Sequence, residues 1–293
     1  MNFRTDLALE MTEQEEMLPR GVSKDEIVLN DARVTRITVL DEKGEQAIGK
    51  PRGNYITVEV PPFSDSADEM GEKLDVLARE LRALLPAEGM VFVAGLGNSD
   101  ITPDALGPKT ANKILATRHI AGEVARSAGL SDLRSVAVFA PGVLGQTGIE
   151  TAEMILSVVA RIKPAAVIVI DALASRNLDR LGCTVQISDT GISPGSGVGN
   201  RRFEISQNTL GVPVIAVGVP TVVDGATLAM DLMGGAVDEE TLRSKVEPRG
   251  AQMVVTPKEI DLLIDRAAAL VALSINTALQ PSMSPEDILS LVS

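Results

Sequence analysis

Four short, continuously apolar runs dominate the middle of the chain: Met90 to Ala94, Val136 to Phe139, Ala165 to Ile170 and Val214 to Val217. Between and after them lie amphipathic helical patterns at Ala105 to Arg118, Ile149 to Ile162 and Thr227 to Met233. A strand without a polar face needs cover on both sides, and crossover helices supply that cover. The expected fold is therefore α/β and three-layered, a mostly parallel or mixed sheet with helices on both faces. Further strands are expected at Val34 to Leu40, Tyr55 to Val60, Thr184 to Ile187 and Met253 to Val255, with a turn-rich stretch at Asp41 to Gly44. A long helix is expected over Ala67 to Leu85, with Leu74, Leu77, Leu81 and Leu84 on one face. Another runs from Pro257 to Leu273, with Thr256 as N-cap, Pro257 at the first position and Glu259 completing the signal. A short helix is expected at Pro285 to Leu291. The first thirty residues, with Glu10, Glu13, Glu15 and Glu16 close together, have poor periodicity and read as an arm rather than core.

Residue usage narrows the chemistry. Aromatics make up 2% of the chain and Trp is absent, so the core must come from Ala, Val, Ile, Leu and Met. One Cys rules out an internal disulfide and a Cys-cluster zinc site. One His leaves His119 as the sole imidazole base for a Ser-His or Cys-His mechanism. It follows Arg118 at an expected helix end and reads as a cap or surface residue. Polar chemistry falls to carboxylates, Lys, hydroxyls and backbone amides. A net charge of −13 repels phosphate backbones, and no basic patch offsets it, so direct nucleic-acid binding is not expected. No run of 18 apolar residues occurs, and the first residues lack the apolar stretch of a signal peptide. No membrane association is expected, and the location expected is cytoplasmic.

In open α/β sheets, ligands sit beyond the carboxyl ends of the strands. That rule selects the stretches after the four apolar runs: 95–108, 141–145, 171–175 and 218–224. Gly95 and Gly97 permit a sharp turn and close approach, but Asp100 stands where a dinucleotide fingerprint needs its third Gly. Asp104 follows Thr102, a candidate cap, and Pro103. An acid there also suits a helix dipole without any further role. Asp171 ends the most apolar strand, where a carboxylate is costly to bury alone. If both reach one edge they can act as a pair, one ionised and one protonated, needing no His, Cys or cofactor. Asp100 and Asp224 lie on the same expected edge and could replace or orient a member. Asp179 and Asp189 read as turn residues, and Cys183 as core. The Gly-rich stretch from Pro194 to Asn200, with Ser196, could present amides to a peptide or be an ordinary loop.

At these residues the sequence resembles the germination protease family, which degrades small acid-soluble spore proteins. The matching segments run in order through nearly the whole chain. They are 4–10, then 95–98 with Gly97-Asn98 and 102–108 with Thr102-Pro103-Asp104, 141–143 around Gly142, and 147–151. The rest are 170–174, 186–189, 194–200, 220–224 and 255–259. The resemblance implies an aspartic-type endopeptidase with Asp104 and Asp171 as its pair and no cofactor or metal. Supporting or substrate-binding positions are expected at Gly97, Asn98, Thr102, Gly142, Ser196 and Asp224. The resemblance also implies a fold similar to hydrogenase maturation proteases and a homotetramer. The family is made as a zymogen that removes its own N-terminal segment. The match at Arg4 to Glu10 places that cut between Asp6 and Leu7, leaving residues 1–6 as pro-segment and 7–293 as a single peptidase domain. The pattern there, an acidic residue followed by Leu-Ala-x-Glu, resembles the family's substrate sites. Longer members carry an extra polar segment where this chain has only Gly225 to Val254.

Two other readings use the same scaffold. A metal-binding maturation-type protease would need His119 beside the carboxylates. A phosphorylase-like enzyme would need a phosphate cradle supported by Arg176 or the Arg201-Arg202 pair.

Overall fold

The computed structural model describes residues 5–13, 17–29, 32–63, 70–120, 132–193, 203–233 and 253–292. Its strands, in chain order, are β1 (Val22–Leu29), β2 (Ala32–Val39), β3 (Gly53–Glu59), β4 (Val91–Gly95), β5 (Val136–Phe139), β6 (Ala166–Ser175), β7 (Thr184–Ser188), β8 (Val214–Asp224) and β9 (Val254–Val255). They form one sheet in the order β1-β2-β3-β7-β8-β6-β4-β5, with β9 on β8. The half from β8 through β6 and β4 to β5 is parallel, and the half from β1 to β8 is antiparallel. The sheet is thus mixed. The four apolar runs supply its parallel strands, and their carboxyl ends share one edge.

The helices are α1 (Ala8–Thr12), α2 (Glu42–Ile48), α3 (Met70–Leu84), α4 (Leu106–Ala111), α5 (Leu144–Thr147), α6 (Thr151–Ile162), α7 (Gln207–Leu210), α8 (Gly225–Met233), α9 (Ile260–Leu279) and α10 (Pro285–Val292). On one sheet face Ile168, Ile170, Val185, Ile187, Ile215 and Val217 share a core with residues of α3, α4 and α9. On the other, Phe92, Val167, Val169 and Ala216 meet Ile155 and Val159 of α6 and Leu210 of α7. Ile37, Val39 and Tyr55 are covered by Ala8 and Leu9 of α1 and Ile48 of α2. Helix α9 is long and apolar enough to cross a membrane by length and composition, but 67% of it is buried inside the protein. It is the central core helix, with Asp265 and Arg266 interrupting its apolar run.

Several expectations are corrected. The first thirty residues are not a free arm. Val22–Leu29 is a strand, and Leu7, Ala8 and Leu9 are buried. The turn-rich stretch at 41–44 opens α2, with Asp41 accepting from the amide of Gly44 and Gly49 ending the helix in the left-handed region. The helix expected over 105–118 stops at Ala111, because the buried Asn276 side chain takes over the backbone: it accepts from Leu115 N at 2.9 Å and donates to Lys113 O at 2.9 Å. Helix α9 begins at Ile260 and runs on to Leu279; Thr256 does not cap it. Cys183 precedes β7 and is half-buried, its thiol on Leu181 O. Finally, β6 and β8 do not end at 170 and 217. They run on together to Ser175 and Asp224, through a register shift at Leu173/Ala174 that accommodates Pro220.

Candidate active site

The site begins at a crossing of small residues. Strand β4 ends at Gly95, and Leu96 N still reaches Ile170 O at 2.8 Å, tying the following loop to β6. Helix α4 crosses at the same point. A Cβ on Gly107 would lie 2.1 Å from Leu96 O, 2.4 Å from Leu96 N and 2.6 Å from Ile170 O. Only glycine permits that approach.

The loop then turns at Gly97, whose φ of +111° suits glycine alone. A Cβ there would meet Asp104 O at 2.0 Å and Asp104 Oδ1 at 3.2 Å. Residues Thr102–Asp104 form a 3-10 turn ahead of α4. Ile101 occupies the capping position without a side-chain bond, so Thr102 is not the cap expected from the sequence. Asn98 N donates to Asp104 Oδ2 at 2.8 Å, and Thr221 Oγ1 of β8 donates to Pro103 O at 2.8 Å. Asp104 is therefore fixed between its own loop and β8.

Asp171 follows Ile170 directly, so the residue that anchors the Asp104 loop adjoins the second carboxylate. It is buried, at 6% exposure, and its Oδ1 accepts from Ala172 N at 3.0 Å. It pairs with Gly218, and Gly218 with Gln186, so the three form one row across β6, β8 and β7. Residues in such a row share a face, here the one on which the N-terminal segment packs.

That segment is held along its length. Asp6 N donates to Ala174 O at 2.9 Å, and Ala174 N donates back to Asp6 Oδ2 at 2.9 Å. The Asp6 carbonyl accepts from Lys50 Nζ at 3.0 Å and from Gln186 Nε2 at 3.1 Å. Gln186 Oε1 accepts from Ala8 N at 2.9 Å, so one side-chain amide brackets Leu7. Burial pushes the Lys50 ammonium below its ordinary value, partly opposed by the nearby Asp6 and Glu10 charges. Glu10, only 3% exposed, accepts from the amides of Arg176 at 2.7 Å and Asn177 at 2.9 Å. Arg180 lies 3.6 Å from it and contacts Glu13 at 2.6 Å.

The other expected positions disperse. Asn98 Oδ1 accepts from Asp100 N at 2.9 Å and from Gln146 Nε2 at 2.7 Å, and Gln146 also binds Asp100 Oδ2 at 3.0 Å. These residues form an exposed rim near Asp104. Gly142, at φ +75°, turns the chain after β5, and its carbonyl accepts from Thr151. Asp224 sits six residues beyond Gly218, about 20 Å along β8. It accepts from Thr227 N and Oγ1 at the start of α8. Asp189 binds the backbone and side chain of Asn54. His119 is exposed in a turn. Ser196 and the 194–200 stretch lie outside the described residues, as do most of 225–254 and Arg201-Arg202. Among the described residues no three His, Cys, Asp or Glu side chains form a metal-holding group. Lys50 escaped the sequence reading because a lone Lys in a polar stretch carries no signal of burial. Gln186 stood there only within a matching segment.

A family model described as germination protease matches residues 4–239. A germination protease of Caldanaerobacter subterraneus subsp. tengcongensis is 46% identical over 321 residues, covering 100% of this chain and 98% of its own. One from Clostridium perfringens is 43% identical over 319 residues, covering 98% of each. One from a Geobacillus species is 36% identical over 357 residues, covering 98% of this chain and 96% of its own. These alignments are longer than the 293 residues of this chain, so the relatives carry residues that it lacks. Among solved structures, the crystal structure of the NiFe hydrogenase maturation protease HycI from Thermococcus kodakarensis KOD1 matches with a TM-score of 0.38 and 16% identity. That match covers 67% of this chain and 98% of the other.

Proposed function

The chain belongs to the germination protease family, and we propose that it is an aspartic-type endopeptidase, made as a self-processing zymogen, that starts the degradation of small acid-soluble spore proteins. Asp104 and Asp171 are its carboxyl pair. The observation that carries this reading is the crossing at Ile170, which ties the Asp104 loop to the residue preceding Asp171. In the first step the ionised carboxylate takes a proton from water as the water oxygen bonds to the carbonyl carbon. The protonated carboxyl gives its proton to the carbonyl oxygen. The tetrahedral intermediate then collapses: the C–N bond breaks, the carboxyl that took the water proton passes it to the leaving nitrogen, and the other carboxylate takes a proton back from a hydroxyl of the intermediate, which restores the pair. Water is the only co-reactant.

The self-processing cut falls between Asp6 and Leu7. Supporting it, Gln186, which holds the Asp6 carbonyl, lies in the same sheet row as Asp171. The enzyme works in the cytoplasm of the forespore and spore core, as a homotetramer.

The test is hydrolysis of a small acid-soluble spore protein by the wild type, Asp104→Asn and Asp171→Asn, with circular dichroism to check folding. Each variant is expected to lose at least ~1000-fold in rate and to stop self-cleavage after Asp6. A folded Asp171→Asn protein that retains full activity would remove that residue from the mechanism.

A further inference from the structure

The loop that carries Asp104 is secured at both ends by backbone: Leu96 N reaches Ile170 O before it, and α4 follows it. Its tip lacks that support. Ser99, Asp100 and Ile101 are exposed, and Asn98 is half-buried. Yet the amide of Asn98 donates to Asp104 Oδ2 at 2.8 Å. Whatever orients the Asn98 peptide therefore orients that carboxylate as well.

Gln146 grips this tip from a separate element. Its Nε2 donates to Asn98 Oδ1 at 2.7 Å and to Asp100 Oδ2 at 3.0 Å, so both amide hydrogens are spent there. Asn98 Oδ1 also accepts from Asp100 N at 2.9 Å, which closes a local turn around the grip. The oxygen end of the Gln146 amide is accommodated too. Gly142 turns at φ +75°, and a Cβ there would approach Gln146 Oε1 to 3.2 Å. Helix α5, which presents Gln146, has no buried residue and ends at Gly148 in the left-handed region. Core packing therefore does not account for where α5 sits, whereas the bonds of Gln146 to the tip do.

We propose that Gln146 is a positioning residue for Asp104: by holding Asn98 and Asp100 it keeps the Asn98 amide on the carboxylate. It acts through Asn98 and not on the substrate. The effect on rate rests on the peptidase reading, but the grip can be measured without substrate, so each can fail without the other.

The experiment follows hydrolysis of a small acid-soluble spore protein by the wild type and variants, with hydrogen exchange at the Asn98 amide and a urea melt on the same proteins. Gln146→Ala is expected to lower kcat ~10-fold with KM within ~2-fold, to speed exchange at Asn98 ~10-fold, and to leave the urea midpoint unchanged. Gln146→Glu sets an acceptor against two acceptors, so its loss should be at least as large. Adding Asp100→Asn to it returns a donor to the pair and should recover kcat by ~3-fold or more. Gln46→Ala, which removes an exposed glutamine of α2 bonded only within its own helix at Glu42, is the control and should change nothing. A Gln146→Ala protein with unchanged kcat, or with its loss confined to KM, would overturn the positioning role. So would a double variant no faster than Gln146→Glu. If the wild type cuts no substrate, the peptidase reading fails and exchange decides the grip alone: an Asn98 amide equally protected in the wild type and Gln146→Ala would refute it.

Discussion

Gly107→Ala should separate the geometry of the proposed carboxyl pair from its chemistry, because the atoms nearest an added methyl belong to Leu96 and Ile170 and to neither aspartate. The added methyl would sit 2.1 Å from Leu96 O, 2.4 Å from Leu96 N and 2.6 Å from Ile170 O. Carbon contacts below 3.0 Å are not tolerated, so α4 must retreat by about 1 Å. All three opposing atoms are backbone: Ile170 belongs to β6, which is paired on both sides, and Leu96 directly follows β4 and donates to Ile170 O. Overpacking of this kind costs about 3 kcal/mol at the upper end. Alanine returns up to about 1 kcal/mol of helix propensity, which leaves a net loss of about 2 kcal/mol. A urea melt followed by circular dichroism reads that loss directly. The retreat also displaces Asp104, at the head of α4, relative to its proposed partner Asp171, and a shift of about 1 Å costs on the order of 100-fold in rate. Gly71→Ala in α3 is the control: nothing lies within 4 Å of its added methyl, so stability should hold or rise by up to about 1 kcal/mol. A Gly107→Ala protein with unchanged melting and unchanged turnover would refute the role of the crossing.

Three further outcomes follow from buried polar groups. The Lys50 ammonium is pushed below its ordinary 10.5, first by burial, against the pull of Asp6 and Glu10. The unfolded chain therefore binds more protons between the lowered value and 10.5, so stability rises with pH across that window. The rise should vanish in Lys50→Met when urea midpoints are compared at each pH. Tyr55, the sole tyrosine, is pushed well above the usual phenol value by burial, with Asp189 adding and a Thr190 hydrogen bond opposing. Its folded form keeps a proton that the unfolded form loses, so stability falls above the ordinary value, and tyrosinate absorbance should appear together with unfolding, not before it. Glu80 of α3 is 4% exposed and held by Arg36 of β2 at 2.7 and 3.2 Å. Arg36→Met should cost roughly 2–4 kcal/mol in a urea melt, and much of that should return in Arg36→Met/Glu80→Met, where no buried charge is stranded.

The parallel half of the sheet was legible in the sequence because each strand there is apolar on both faces, a property carried by adjacent residues. The antiparallel half was legible only in part. In β1 the buried Val22 is followed by Ser23, Lys24, Asp25 and Glu26, all exposed, as befits an edge strand whose pairing with β2 shows in no local pattern. The overrun of β6 and β8 was hidden by Gly218 and Pro220, which read as turn residues until each strand is given the other as partner. At the site, the glycines and the two aspartates could be picked out from strand ends and the family pattern. Lys50 could not, and Glu10 stood out only within the matching segment 4–10, not from its own surroundings. Glu10 reads as part of a solvated acidic run, yet its partners Arg176 and Asn177 lie 166 and 167 residues away.

Those distant partners bear on what cutting at Asp6 would accomplish. Residues 7 to 10 would stay attached to the chain, so such a cut would not by itself release them. Burying Leu7 and Leu9 contributes about 2 kcal/mol each, and the amide bonds to the Glu10 carboxylate about 2 kcal/mol more. Ordering four backbone residues opposes this by roughly 4–8 kcal/mol. Residues 7–10 alone are therefore held near balance. In the intact chain Asp6 adds its two bonds to Ala174 and the contacts of its carbonyl with Lys50 and Gln186. At about 1 kcal/mol apiece they tip the balance toward occupancy. The proposed cut would remove that surplus, so a processed terminus would leave its site more readily than the unprocessed one. The proposed uncut and cut forms would then differ by a few kcal/mol in how firmly residues 7–10 are held, and the fold need not change.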